Sequence, residues 1–274
     1  GRRVKQAMRG VDAILKSAQA RLLLALEQAP VRVVNATRYE FQVDLDALRA
    51  IVAQIVEELR AANGPVDQAT AGAYAEGTAQ ASVNLSGLTD DYARPLSSLL
   101  ASEPYMRRSA LVRARVFEEM QGFAGETGAD LARVLFTGME EGRNPLDVAR
   151  DIRAQFAVSK RRAETIARTE INGALRRGRL DEEQDAQDRL GIKTGMLWAS
   201  ALKPTTRHSH ARRHGRVYTI EEVRDFYSRD GNAINCFCGI TSVLLDANGN
   251  PTSKRAIDRM AAKREAYLAE QSEE

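Results

Sequence analysis

Aliphatic side chains recur at steps of three and four residues through the first two thirds of the sequence, and this spacing limits what the chain can fold into. The segment from Val4 to Ala29 stops at Pro30, and the segment 44–62 stops at Asn63-Gly64-Pro65. In each segment the apolar residues lie on one stripe of a 3.6-residue period, so each is predicted to be an amphipathic helix. The two stripes are Val4, Met8, Val11, Leu15, Leu22 and Leu26, and then Leu45, Leu48, Val52, Ile55, Val56 and Leu59.

The same spacing continues as far as Gly191. Only 5% of the residues are aromatic, so a core must be built mainly from Ala, Leu, Val and Ile, which favours helices. A turn is predicted at 84–90, and Pro104 and the stretch 125–128 are taken as helix boundaries. The further predicted helices are 66–82, 91–102, 105–123, 127–141, 146–156 and 160–190.

After Gly191 the pattern changes. The segment 194–200, which holds the only tryptophan, and the segment 241–245 are predicted to be short strands. A charged helix with a thin apolar stripe follows at 253–274, and we expect it to dock on a partner or to fray. The prediction is a mainly α fold in which a helical N-terminal region (1–156) is followed by a small α+β module (157–252) and the charged helix (253–274).

Charge and hydropathy exclude some functions. Forty basic residues against thirty-seven acidic ones give a net charge of +3, which is too low for a strong general nucleic-acid binder. Any contact with DNA must therefore rest on local patches. The longest apolar run, from Leu22 to Leu26, is far shorter than the ~20 residues that cross a bilayer. No membrane span is predicted.

The three histidines and the two cysteines are concentrated in one short part of the chain. Imidazole and thiolate are the ligands that tetrahedral zinc prefers, and a small module with little aromatic core would gain stability from a metal. We therefore expect a structural zinc site formed by Cys236, Cys238 and His210, with His208 or His214 as the fourth ligand. The alternative is that the histidines are surface residues and the cysteines are small buried hydrophobic residues.

Two enzymatic interpretations are weaker. A nucleophilic cysteine paired with a histidine lacks an acid to orient the histidine, and no turn resembles an oxyanion hole. Glu164, Glu170 and the carboxylates of 181–185 recur periodically, which is typical of a solvated helix face. We expect no enzymatic activity.

A basic segment precedes the cysteines. Between residues 203 and 216 it holds five basic side chains and no acidic one, so it could contact phosphates or an acidic protein surface. Stacking on bases is not expected, because interleaved aromatic residues are missing. The candidate contact residues are Lys203, Arg207, Arg212, Arg213 and Arg216.

Three motifs together resemble the phage Mu F-like minor head proteins, a head-morphogenesis family of tailed phages. The first pairs Gly142-Arg143-Asn144-Pro145 with a helix that contains Ile166-Ala167-Arg168-Thr169-Glu170. The second leads from Trp198-Ala199-Ser200 into Thr206-Arg207-His208-Ser209-His210 and Gly215. The third is Asn235-Cys236-Phe237-Cys238, with Phe237 where the family has arginine.

The resemblance spans about residues 142–245 and implies which histidine belongs to the site. His210 aligns with the family position, whereas His208 and His214 are additions; the ligand set we expect is His210, Cys236, Cys238 and His214. This chain also has Lys203 where members usually have aspartate, and Thr205 where arginine is common.

The resemblance implies a structural virion component, present in several copies inside the phage head near the portal vertex. Its expected partners are the portal protein and the major capsid or scaffold proteins, with packaged DNA as a non-specific contact. It would assist head assembly and DNA packaging or ejection, and 1–156 would be the attachment region. The competing hypotheses are a phage-delivered nuclease or toxin-like effector, and a DNA-binding accessory protein.

Overall fold

In the computed structural model the described residues are 2–35, 38–42 and 44–271. About 70% of the structure is helical, with long helices first and a small strand-containing module at the C-terminal end, which confirms the predicted fold class. The elements are α1 (Arg2–Glu27), β1 (Val31–Asn35), β2 (Arg38–Phe41), α2 (Leu45–Ala61), α3 (Asn63–Leu88), α4 (Leu96–Leu100), α5 (Glu103–Glu140), α6 (Pro145–Leu190), β3 (Thr194–Ala199), α7 (His208–Ala211), β4 (Val217–Tyr218), α8 (Ile220–Ser228), β5 (Gly239–Leu244) and α9 (Lys254–Glu270).

The chain forms two compact units. The first consists of Gly1–Ala69 and Arg113–Arg168, and the second of Thr70–Val112 and Thr169–Glu274. Helices α3, α5 and α6 each supply residues to both. The division at residues 156 and 252 stays a prediction, because compact packing does not define which segments act as functional domains.

The first unit contains the two amphipathic helices predicted from the sequence. All six apolar residues of the predicted α1 stripe are buried, and so are Ala7 and Ala18. At the start of α2, the Asp44 carboxylate accepts hydrogen bonds from the backbone N–H groups of Asp46 and Ala47, which caps the helix. The Arg21 guanidinium donates to both Glu58 carboxylate oxygens, at 2.9 and 2.6 Å, and so joins α1 to α2.

A two-stranded antiparallel sheet interrupts the helices of this unit. Strands β1 and β2 pair with Val31 opposite Phe41 and Val33 opposite Tyr39. The backbone N–H of Tyr39 donates to the carbonyl of Gly142 at 2.8 Å. The sequence analysis predicted no strand in this region, so this short sheet was missed.

Two helix boundaries predicted from the sequence were wrong. Helix α5 continues through the glycines at 125 and 128, and a Cβ at Gly128 would lie 2.3 Å from a Val56 methyl carbon, so this glycine lets α5 pack closely on α2. Helix α6 continues through 156–160, which contains neither Gly nor Pro, so the two helices predicted at 146–156 and 160–190 are one; Ser159 is buried within it.

Two predictions near residue 90 were also wrong. Helix α3 runs through the predicted turn as far as Leu88, and Asn84 there donates to the carbonyl of Ser242 at 3.2 Å. The helix expected at 91–102 is only α4, because Pro95 disfavours helical geometry in the residue before it.

In the second unit, α3 and α6 approach so closely that only glycine fits at their contact. A Cβ at Gly77 would lie 2.0 Å from the Leu175 carbonyl oxygen, and one at Gly178 would lie 2.2 Å from the Tyr74 carbonyl oxygen. The Tyr74 hydroxyl donates to the Asp181 carboxylate at 2.8 Å beside this crossing. Helix α6 is thereby fixed as a support for the strands that follow it.

The sheet of the second unit has the order β4-β3-β5, and both pairings are antiparallel. Strand β3 is almost fully buried, with Trp198 opposite Ile240 of β5. On the outer edge of β5 the carbonyl of Ile240 accepts from the Arg179 guanidinium, and that of Ser242 accepts from Asn84. Side chains of α6 and α3 thus occupy the edge that no strand covers within the described residues.

Helix α9 docks on the chain itself. The Arg264 guanidinium donates to the carbonyl of His214 at 2.7 Å, and the Tyr267 hydroxyl donates to the carbonyl of Lys203 at 2.7 Å. Gly215, at φ +73°, faces Met260 so closely that a Cβ would lie 2.7 Å from that residue's Cβ. Helix α9 is regular from Lys254 to Glu270, which corrects the expectation of fraying; none of its residues is buried, and docking on a partner stays a prediction. Among all the residues that the structure describes, no helix combines the length and the apolar character needed to cross a bilayer.

The carboxylates of α6 are not all solvated, contrary to the sequence interpretation. Glu170, Glu182 and Glu183 are buried. The Tyr92 hydroxyl donates to Glu182 at 2.5 Å, and the Thr194 hydroxyl donates to Glu183 at 3.1 Å. These carboxylates recur along α6 because other elements of the second unit pack against that helix, and not because the face is exposed to solvent.

The close helix crossing gives a first testable prediction. We expect Gly178→Ala to lower the free energy of unfolding by about 2 kcal/mol, because the new methyl group meets backbone that must move. Gly173→Ala, in the same helix with only the end of Arg177 near its Cβ, should be neutral or stabilising by up to about 1 kcal/mol. Chemical denaturation measures both, and equal stabilities would contradict the packing described.

The buried carboxyl group of Glu183 gives a second testable prediction. Burial raises the pKa of Glu183 to about 8, so the folded chain keeps a proton that the unfolded chain loses near pH 4.5. Stability should therefore fall as the pH rises from about 5 to 8, by up to about 1.4 kcal/mol per pH unit. Glu183→Gln stays neutral and should remove this loss, whereas Asp188→Asn, at an exposed site of α6, should not. Urea unfolding at pH 5, 7 and 8.5 tests this, and parallel curves for all three proteins would refute it.

Candidate metal centre

Three side chains with metal-binding donor atoms meet in the second unit. The donors of His210, Cys236 and Cys238 all lie within 4.8 Å of one another, and the three residues are buried. His210 Nδ1 lies 3.4 Å from each of the two sulfur atoms. The expectation that the histidine segment and the paired cysteines come together is confirmed for these three residues.

Local structure places the histidine. Helix α7 is a single turn, and the backbone N–H of His210 donates to the carbonyl of Arg207 at 2.9 Å. The neighbouring chain is tied to β3, since the N–H of Gly215 donates to the carbonyl of Trp198 at 2.8 Å. The imidazole of His210 therefore points inward from a short, well-anchored turn.

Helix α6 holds the loop that carries the cysteines. Asn172 Nδ2 donates to the carbonyl of Cys236 at 2.9 Å, and the N–H of Asn235 donates to the Thr169 hydroxyl at 3.0 Å. Asn235 has φ +54°, a left-handed conformation that asparagine tolerates better than most residues. The chain then turns so that Cys236 and Cys238 both reach His210.

Arg207 clamps the same loop from the other side. Its guanidinium donates to the carbonyls of Gly231, Asn232 and Ile234 at 3.0, 2.9 and 3.0 Å. These are three of the backbone acceptors that lead into the cysteines. One side chain thus links the segment before His210 to the segment before Cys236.

Aromatic rings surround the donors, so the sequence expectation of a module with little aromatic core is wrong here. Trp198 stacks on Tyr227 with ring centroids 5.1 Å apart, and Phe226 packs edge-on against both Trp198 and the His210 imidazole. Trp198 is fully buried. Few aromatic residues occur in the chain, but the fold gathers them at this site.

The two thiols differ in their electrostatics. A hydrogen bond from Cys238 lowers the pKa of Cys236, with further lowering from His210 and from the charge of Arg176; the same contact between the thiols raises the pKa of Cys238. Arg176 is itself buried and lies 4.0 Å above the Tyr227 ring, whose hydroxyl is 3.6 Å from Cys236 Sγ. The surroundings therefore favour a thiolate at Cys236.

The spacing of the donors fits a tetrahedral metal. Zinc holds sulfur at about 2.3 Å and nitrogen at about 2.0 Å, which separates the two donor atoms by about 3.5 Å in a tetrahedron. The observed separations between nitrogen and sulfur are 3.4 Å. Two thiols and one imidazole thus form a buried group that could hold a metal.

His214 does not join this group. Its Nδ1 accepts a hydrogen bond from the backbone N–H of Ser200 at 3.0 Å, and its carbonyl accepts from Arg264. Burial lowers the pKa of His214, and the charges of Lys263 and Arg264 lower it further. The residue links the end of β3 to α9. His208, the other candidate, is exposed at the start of α7.

The predicted contact residues divide into two sets. Lys203 lies 4.5 Å above the Phe237 ring, Arg207 binds the loop carbonyls, and Arg213 lies 3.7 Å above the Phe226 ring. Arg212 and Arg216 are exposed. Arg207 and Arg213 thus hold groups of the fold around the donors, and Lys203 lies over a ring of the cysteine loop; sequence patterning alone could not reveal these contacts.

The comparisons with known proteins give one match. Residues 129–241 match the family described as Phage Mu protein F like protein. This segment contains all of α6, α7 and α8 and the three grouped donors. No curated protein and no solved structure matches the chain. This segment of the chain is therefore similar to the phage Mu F-like head-morphogenesis proteins.

Proposed function

We propose that this chain is a non-enzymatic structural component of a tailed-phage head, placed inside the head near the portal vertex, where it assists head assembly. The match to a phage head-morphogenesis family over residues 129–241 carries this proposal. Its partners would be the portal protein and the major capsid or scaffold proteins, with several copies in each virion.

The surfaces of the protein suit such a role. Leu111, Phe117 and Leu146 are large apolar residues with 68%, 53% and 77% of their surface exposed. Apolar side chains at this level of exposure provide contact area for docking on a larger assembly. The exposed Arg212 and Arg216 could lie against packaged DNA without reading its sequence.

The second part of the proposal is that His210, Cys236 and Cys238 hold one structural zinc. Bound there, zinc would link α7 to the start of β5 and supply stability rather than chemistry. The chain's own residues prepare the site: Arg207, Asn172 and Thr169 fix the cysteine loop, and Arg176 favours the thiolate.

The metal can be tested in the purified protein. We expect about one zinc per chain, and His210→Ala should lose most of this zinc and lower the melting temperature, because one of three ligands is removed. His208→Ala is the matched control, since it changes an exposed histidine of the same short helix. Elemental analysis and thermal unfolding with and without a chelator measure both effects. Zinc content unaffected by His210→Ala would refute the site.

The role in the head needs a separate experiment. We expect the chain to co-purify with portal and capsid when the head genes are expressed together, and fewer complete heads to form when it is omitted. Purified heads that lack the chain, formed in normal numbers, would contradict the structural role.

The nuclease alternative makes the opposite prediction for activity. Cleavage of DNA by the wild-type protein, lost in His210→Ala while heads still assemble, would replace the structural proposal.

A salt titration with duplex DNA tests the accessory-protein alternative, because binding through phosphates weakens steeply with salt.

A further inference from the structure

The three donors form one wall of a pocket. The cavity has a volume of about 110 Å³, and its wall includes His210, Cys236 and Cys238. The rest of the lining comes from the basic segment and from the cysteine loop. These residues are Ala201, Lys203, Thr205, Thr206, Arg207, Asn235 and Phe237.

The protein supplies three ligands where a tetrahedral metal takes four. In the described part of the chain, no further His, Cys, Asp or Glu belongs to the donor group. His214 is committed to the backbone of Ser200. Zinc sites with three protein ligands leave the fourth position to a water molecule or another small ligand.

The charge of the pocket selects what that ligand can be. Its lining contains two cations, Lys203 and Arg207, and no carboxylate. With a divalent metal bound, two thiolates and an imidazole would balance its charge, so neither cation would be needed to offset the ligands. The pocket therefore keeps a net positive charge next to the fourth position and favours an anion.

The two cations, Arg207 and Lys203, have different roles. Arg207 is held by the carbonyls of Gly231, Asn232 and Ile234, so its position is fixed by the fold. Lys203 is exposed at the rim, where its ammonium group lies 4.5 Å from the centre of the Phe237 ring. An incoming anion can reach the ammonium group of Lys203 without breaking a hydrogen bond of the fold.

We propose that the metal held by His210, Cys236 and Cys238 takes its fourth ligand from solution, as a small anion that binds through oxygen, a carboxylate or a phosphate, and that Lys203 attracts it. The volume of the pocket is sufficient for an anion of this size. This inference rests on the metal of the proposed function.

The test uses the full chain loaded with Co²⁺, because the visible absorption of cobalt reports its ligands. Sodium acetate and inorganic phosphate are titrated separately into the cobalt-loaded protein, and sodium perchlorate is added to keep the ionic strength constant. We expect a saturable change in the spectrum with at least one of the two, and the anion that binds more tightly identifies the source of the oxygen ligand.

Two lysine variants show whether the pocket recognises the anion. Lys203→Gln should weaken anion binding about fivefold, the effect of removing one exposed charge close to a ligand. Lys193→Gln removes an exposed lysine that does not line the pocket and should leave the affinity unchanged. Equal affinities in the two variants would overturn the role of Lys203.

The remaining outcomes distinguish failure of the anion inference from failure of the proposed metal site. If cobalt binds but neither anion alters its spectrum, the fourth position is closed, and the inference fails while the metal site stands. If cobalt does not bind at all, the metal proposal itself fails and the inference fails with it.

Discussion

The anchoring of the cysteine loop to α6 is the interaction on which the C-terminal module depends. Asn172 and Thr169 form two hydrogen bonds to the backbone of Cys236 and Asn235. Together with the hydrogen bonds of Arg207 to the same loop, they fix the position of the thiols relative to α7. The contact also joins the long helix to the small strand-containing lobe within the matched segment.

Much of the fold follows from the sequence, because apolar spacing is a local property. The buried faces of α1 and α2 agree with the predicted stripes, and α6 begins at Pro145 and ends before Gly191, as expected. The errors come from tertiary contacts: Gly128 stays helical because α2 packs against it. The β1–β2 hairpin was missed although Val31, Val33, Tyr39 and Phe41 alternate with polar residues, a pattern that does signal strands.

The site was only partly predictable. Donor chemistry and motif order were enough to name His210, Cys236 and Cys238, since few residue types bind zinc and here they are concentrated. The roles of Arg207, Asn172 and Arg176 were not accessible, because each acts across more than twenty residues of sequence. The sequence does not distinguish the arginines of the basic segment from one another. Only the fold shows that Arg207 donates to three backbone carbonyls of the cysteine loop.

The outer edge of β5 has a consequence for how the protein behaves when it is crowded. A strand edge with unpaired carbonyls is a template on which a second chain can add a strand of its own. Here Arg179 and Asn84 already occupy the carbonyls of Ile240 and Ser242. Neighbouring molecules therefore find no vacant acceptors at those two positions, which protects the protein from aggregating by edge-to-edge pairing at high concentration.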